Sequence, residues 1–208
     1  MLITAFLIAF FIFLLGFYAG KLFDSSRLTN GDSMILDTQL DTDSFVTEKE
    51  FFSTFAVQDC PLLVNRMQTL GENLGEIGRT ITKYNTRSLS DGSLYDQLKR
   101  KYFLLEIRAY TLRKEMLETC ESENSNVILF FYNTKDNQES LNQGYALDSL
   151  VIDFNNTVVF SFDTDFEEPA LNSLKGYYNI TTSPTIILNY DNKVEGYISE
   201  EDIVKLIK

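Results

Sequence analysis

The stretch from Thr181 to Asn189, reading Thr-Thr-Ser-Pro-Thr-Ile-Ile-Leu-Asn, constrains this chain most. Pro184 has no N–H to give to a sheet ladder, so it must open a strand, lie on an edge or sit in a special turn. The run Thr185-Ile186-Ile187-Leu188 predicts a strand beginning at that proline. A cis Ser–Pro bond costs only about 0.5–1 kcal/mol, so a trans proline at a strand start and a cis-proline turn are both open at this point. A polar turn (Tyr190 to Lys193) and a second short strand (Val194 to Ile198) should follow.

The residues upstream narrow the choice. Val127 to Tyr132 is continuously apolar, as a central strand covered on both faces requires. A helix over 141–154 would bury Leu147, Leu150, Val151 and Phe154 at i, i+3, i+4 and i+7. A strand over 157–162 ends in Asp163-Thr164-Asp165. Glu167-Glu168-Pro169 then opens a helix reaching residue 178, with acids at its positive end and proline in its first turn. A last helix starts at Ser199 and has Ile203, Val204, Leu206 and Ile207 as its apolar side. The acids from Asp163 to Glu168 could hold a cation such as Ca²⁺, but helix capping and solvation account for them better.

The order β-α-β-α-(Pro)-β-β-α resembles the thioredoxin fold, with Ser183-Pro184-Thr185 matching its cis-proline loop. The resemblance covers residues 124–208 and makes the chain α/β in class. It implies a cis Ser183–Pro184 bond facing the turn Asn137 to Ser140. In that family a Cys-x-x-Cys pair opens the first helix. Here the turn reads Thr134-Lys135-Asp136-Asn137-Gln138-Glu139-Ser140. One register puts Asn137 and Ser140 at the cysteine positions, and a shift of one residue puts Asp136 and Glu139 there. Neither has sulfur, and Leu129 and Phe130 stand where many active members carry a buried acid. Thiol–disulfide exchange needs a thiolate, so no catalytic residue is expected at this site. The resemblance also implies a peptide-holding surface, with main-chain bonds to Ser183 beside Pro184. Tyr132, Asn137, Ser140 and Thr182 would border it.

Leu2 to Gly20 is nearly all Leu, Ile, Phe and Ala and is just long enough to cross a bilayer as a helix. A cleaved signal peptide competes. However, no Lys or Arg precedes the run, and Phe17-Tyr18-Ala19-Gly20 makes a poor cleavage site. We read residues 1–23 as an uncleaved single-pass anchor. Lys21 and Arg27 on its carboxyl side favour a cytoplasmic bulk by the positive-inside tendency. The expected disulfide favours the opposite side, the sequons at Asn155 and Asn179 permit it, and we expect the carboxyl-terminal bulk outside the cytoplasm. Residues 24–47 read as a polar stalk, and Thr47-Glu48-Lys49-Glu50 as a capping box starting a short helix.

Residues 48–123 read as a helical hairpin. Leu63, Met67, Leu70, Leu74, Ile77, Ile81 and Tyr84 keep a heptad spacing, and Leu94, Leu98, Leu105, Ala109, Leu112 and Met116 make a second stripe. A breaker run, Asn85 to Gly92, separates them. Two such helices bury each other's stripes when antiparallel. Gly71, Gly75 and Gly78 beside the first seam suggest a close neighbour. Cys60 and Cys120, the chain's two cysteines, flank the pair symmetrically and would meet at its open end as a disulfide.

Composition excludes several functions. A formal net charge of −12 argues against nucleic acid, and the lack of histidine removes the commonest base and metal ligand. No cofactor or metal is expected. The charge is uneven: residues 61–119 carry ten Lys/Arg against seven Asp/Glu, whereas 127–208 carry five against thirteen. Lys99-Arg100-Lys101 would lie on a solvated face, or touch anionic lipid or the acidic domain that follows. The leading expectation is a membrane-anchored, redox-inactive thioredoxin-like module for protein or peptide segments. The alternatives are an oxidoreductase using Cys60 and Cys120, and an assembly protein that oligomerises through the hairpin.

Overall fold

The computed structural model describes residues 2–55, 59–86, 92–120, 125–135 and 137–207. Residues 87–91 of the expected breaker run, the expected boundary at 123/124 and Asp136 of the shifted register lie outside them. The chain divides into two compact units, Met1–Ala56 with Ile77–Lys99, and Val57–Glu76 with Arg100–Lys208. The division falls inside two helices, α2 (Cys60–Thr86) and α3 (Ser93–Thr119), rather than at the end of the expected hairpin.

The first unit contains α1 (Leu2–Phe55), a single continuous helix. The polar stalk expected over 24–47 is therefore helical, and no new helix starts at Thr47. The Thr47 hydroxyl instead donates to the Asp43 carbonyl one turn back, at 2.8 Å. The physical reason lies in the sequence: the first proline is Pro61, and extending an existing helix costs far less than nucleating another. Among the described residues no helix is long and apolar enough to cross a membrane. Every described side chain from Ala9 to Lys21 is exposed, including Phe10, Phe11, Phe13 and Phe17. In the same unit Ile77, Leu94 and Leu98 are buried, and the rings of Tyr84 and Tyr95 lie 6.3 Å apart.

The second unit is built on a four-stranded sheet in the order β2-β1-β3-β4. The strands are β1 (Asn126–Tyr132), β2 (Thr157–Asp163), β3 (Thr185–Leu188) and β4 (Asn192–Glu195). β1 pairs parallel with β2 and antiparallel with β3, which pairs antiparallel with β4. Helix α4 (Gln138–Asp153) connects β1 to β2, α5 (Pro169–Tyr177) connects β2 to β3, and α6 (Glu200–Ile207) ends the chain. This is the β-α-β-α-β-β-α order anticipated from the sequence.

The alternation of a strand gives the sheet two faces. On one, Ile128, Phe130, Ile186 and Leu188 pack with Leu147, Leu150 and Ile203 from α4 and α6. Val151, expected inside, is exposed at the margin of α4. On the other face Phe103 of α3 meets Phe162 and Phe166, and Tyr110 of α3 meets Phe160 and Tyr190. The second half of α3 thus belongs to the sheet's core. Cys60 and Cys120 are bonded, with Cα atoms 5.7 Å apart, tying the start of α2 to the end of α3. The close neighbour expected at Gly71 is absent, since a Cβ there would meet nothing among the described residues.

The second hairpin strand lies two residues earlier than expected. The turn falls at Asn189 and Tyr190, both at positive φ (48° and 73°), and Asp191 N–H closes it onto the Leu188 carbonyl at 3.2 Å. Such a turn matches the twist of the flanking strands. Asn189 tolerates that backbone and also accepts from Val127 N–H at 2.9 Å. Tyr190 is held there by the Tyr110 ring, 4.7 Å away, and by the Lys114 ammonium over its face.

Candidate functional site

The Ser183–Pro184 peptide bond is cis. Its loop is tied at both ends: Gly196 N–H donates to the Pro184 carbonyl at 2.8 Å, and the Thr185 hydroxyl donates to the Thr182 carbonyl at 2.8 Å. Asn137 faces this loop. Its Oδ1 caps α4 by accepting from Ser140 N–H at 3.0 Å, and its Nδ2 donates to the Ser183 carbonyl at 2.8 Å. One amide therefore finishes the helix and bridges it to the proline loop. Of the two residues in the first register, Asn137 is the one that meets the loop.

Ser140 is buried, and its hydroxyl accepts from Asn133 N–H at 3.2 Å. It closes the turn rather than facing solvent. The Thr164 hydroxyl donates to the Tyr132 carbonyl at 3.0 Å, so the Ser183 hydroxyl, 3.1 Å from Thr164 Oγ1, is the donor of that pair. Tyr132 offers its carbonyl to Thr164 here, and its ring packs on Phe130, toward α4 and α6. Of the expected surface, Asn137, Thr182 and Ser183 line one open cavity of about 380 Å³, together with Asn133, Thr164 and Lys175. Lys175 is held by the Thr164 carbonyl at 3.0 Å. The cavity's own chemistry is amide, hydroxyl and ammonium, with the Asp165 carboxylate at its wall. It can donate and accept hydrogen bonds, but it offers no thiol, and the chain has no histidine to activate a hydroxyl.

The acids near the site are engaged. Asp163 accepts from Asp165 N–H, Asp165 accepts from the Asn133 amide, and Glu168 caps α5. Glu168 also pairs with Arg100 at 2.5 Å, so this member of the basic run contacts the acidic region after it.

Two groups escaped the sequence reading. Glu106 of α3 is 3 % exposed and accepts from Ser161 N–H at 3.1 Å, with the Tyr102 hydroxyl as a polar neighbour. Burial drives its pKa well above the ordinary 4.5, and the Ser161 N–H and Tyr102 only partly oppose that. Its signal was an acid beside Leu105 and three residues before Ala109, inside the apolar stripe. The second group is a tyrosine cluster. Tyr110 and Tyr178 share a hydroxyl–hydroxyl hydrogen bond, and burial holds both phenols above their ordinary pKa.

No protein-family profile matches this chain, and no curated protein matches it. Several solved structures are similar to part of it. Thioredoxin-2 of the malaria parasite, described as a component of that parasite's protein secretion machinery, is 23% identical, over 42% of this chain and 84% of its own, with a TM-score of 0.35. Chloroplastic thioredoxin z is 20% identical over 45% of this chain and 85% of its own, with the same TM-score. The germline-specific thioredoxin Deadhead of Drosophila melanogaster is 17% identical over 49% and 90%, again at 0.35. At these values the fold assignment stands on this chain's own strand order and proline loop.

Proposed function

We propose that this chain is a membrane-anchored, redox-inactive thioredoxin-like module that holds extended protein segments at the Ser183–Pro184 loop. The observation that carries the reading is the Asn137–Ser183 hydrogen bond. It sets the start of α4 against the cis-proline loop, with an amide and a hydroxyl where exchange chemistry would need sulfur. Both cysteines of the chain are spent in the bond between α2 and α3, away from this loop. Main-chain groups beside Pro184 would pair with a bound segment, and Asn137 and Thr182 would border its side chains.

Anchoring rests on the sequence of Leu2 to Gly20 and on the all-round exposure of its described apolar side chains, which water does not favour. An extracytoplasmic bulk fits the disulfide. An antiparallel pairing of α2 and α3 belongs to the same reading, supported by the cysteine bond at one end and the Tyr84–Tyr95 contact at the other.

The test is binding of a fluorescent, extended peptide to the full chain in detergent, alongside a disulfide-reduction assay. Thr182→Arg should abolish peptide binding, and the unmodified chain should reduce nothing. Reductase activity that disappears in Cys60→Ser would instead establish the oxidoreductase alternative.

A further inference from the structure

β2 is an edge strand, whose only sheet neighbour among the described residues is β1. Thr164 N–H donates to the Tyr132 carbonyl, and Asn126 N–H donates to the Asn156 carbonyl. These bonds set the ladder's phase. Even-numbered residues of β2 turn their main-chain groups toward β1, and odd-numbered residues turn theirs outward. Glu106 takes the outward N–H of Ser161, and the Phe154 carbonyl takes that of Thr157. The main chain of Val159 faces away from the sheet, with no such guard among the described residues.

Alongside this edge runs a groove of about 690 Å³. Leu147, Val151 and Ile152 of α4 form one wall, and Val158, Val159 and Ser161 of β2 the other. Ile152 is 77% exposed. An edge left open at Val159, beside an apolar groove, supplies the two requirements of strand addition, main-chain partners and pockets for alternate side chains. None of the residues lining it lines the cavity at the proline loop.

We infer that this edge receives an extended segment of another protein, apolar at alternate positions and flanked by basic residues. The charge decides the occupant. Residues 127–208 carry five Lys/Arg against thirteen Asp/Glu, a net of −8, and Asp148 lies in the groove itself. A second copy would bring the same negative surface against this one, whereas a basic-flanked strand complements it.

The experiment is fluorescence anisotropy with the full chain in detergent micelles. The probe is an eight-residue peptide of alternating valine and threonine with a lysine pair at each end. Ile152→Lys should weaken binding by about tenfold or more, while Tyr177→Lys, an exposed change outside the groove, should leave it unaltered. Exchanging the peptide's lysines for glutamates should weaken it comparably, and N-methylation at alternate peptide bonds should abolish it. Equal binding of the N-methylated peptide overturns strand addition. Binding lost with Thr182→Arg but kept with Ile152→Lys places the peptide at the proline loop and overturns this site. A dimer in sedimentation that disappears in Ile152→Lys overturns the foreign occupant in favour of a second copy.

Discussion

Two apolar runs of this chain have opposite fates. Val127 to Phe131 is buried residue by residue, none of them more than 5% exposed. The run from Phe10 to Tyr18 is similar in composition, yet its side chains stand in the open, with Phe17 at 63%. The difference is in neighbours rather than in hydrophobicity. A central strand has helices against both faces, and its alternating side chains find a core on each. A helix apolar on every side offers no polar face to water, and it is satisfied only in an apolar solvent or deep inside a large protein. The membrane reading of the first unit rests on that asymmetry.

The sharpest way to break the comparison is to truncate one phenylalanine from each run. Phe131→Ala removes a fully buried ring and should cost about 3–5 kcal/mol, read as a lower urea midpoint for the second unit. Phe11→Ala should leave that midpoint unchanged, because its ring has no protein core to leave. Equal losses would mean that the first run has a protein cover after all.

The next effect is that of the disulfide, which belongs to the buried side of the comparison. Cys60 and Cys120 are 60 residues apart in sequence, and closing such a loop stabilises by roughly 4 kcal/mol on the chain-entropy model. Cys60→Ser with Cys120→Ser should lower the urea midpoint by a comparable amount.

Much of the second unit was legible because each signal had a local cause. The strand order followed from apolar periodicity and breakers, whereas the X-Pro step before a β-branched run left cis and trans open until the order of elements suggested a thioredoxin-like proline loop. The cysteine pair followed from symmetric placement about a turn. What escaped depended on tertiary neighbours. The hairpin stripe Leu105, Ala109, Leu112 and Met116 is buried as expected, but the same helix also packs Phe103 and Tyr110 onto the sheet. No periodicity reveals which partner a helix face will choose. The same limit hid Glu106, whose partner is a strand edge 55 residues away. Helix α1 failed for the opposite reason: polar composition suggested a tether, while nothing in residues 24–47 actually interrupts a helix.

Glu106 gives the third prediction, since it is an acid inside the apolar interior, whereas Leu2 to Gly20 has no acidic or basic residue. Folding raises its pKa above 4.5, so the folded chain holds the proton more tightly than the unfolded chain. Its stabilisation is complete below that value and is lost as pH rises through the folded one. Urea midpoints should therefore decline above pH 4.5, and Glu106→Gln should flatten that decline. The amide oxygen still accepts from Ser161 and carries no charge to bury. A slope unchanged in the variant would assign the pH dependence to other groups.

The smallest expected effect concerns Asn137, whose single amide does two jobs that substitution can separate. Asn137→Ala removes both the cap and the bridge and should cost about 1 kcal/mol, the usual loss for a cap. Asn137→Asp keeps an acceptor for Ser140 N–H and adds a charge that the helix start favours. It also sets a carboxylate oxygen against the Ser183 carbonyl, where a donor stood 2.8 Å away. Two acceptors cannot share that contact, so the proline loop must move away from α4 while the helix stays capped. The expected result is near-wild-type stability with faster amide exchange at Thr182 and Ser183. Wild-type exchange at those amides in the aspartate variant would mean that Gly196, Thr185 and Thr164 hold the loop without it, and that Asn137 serves only as a cap.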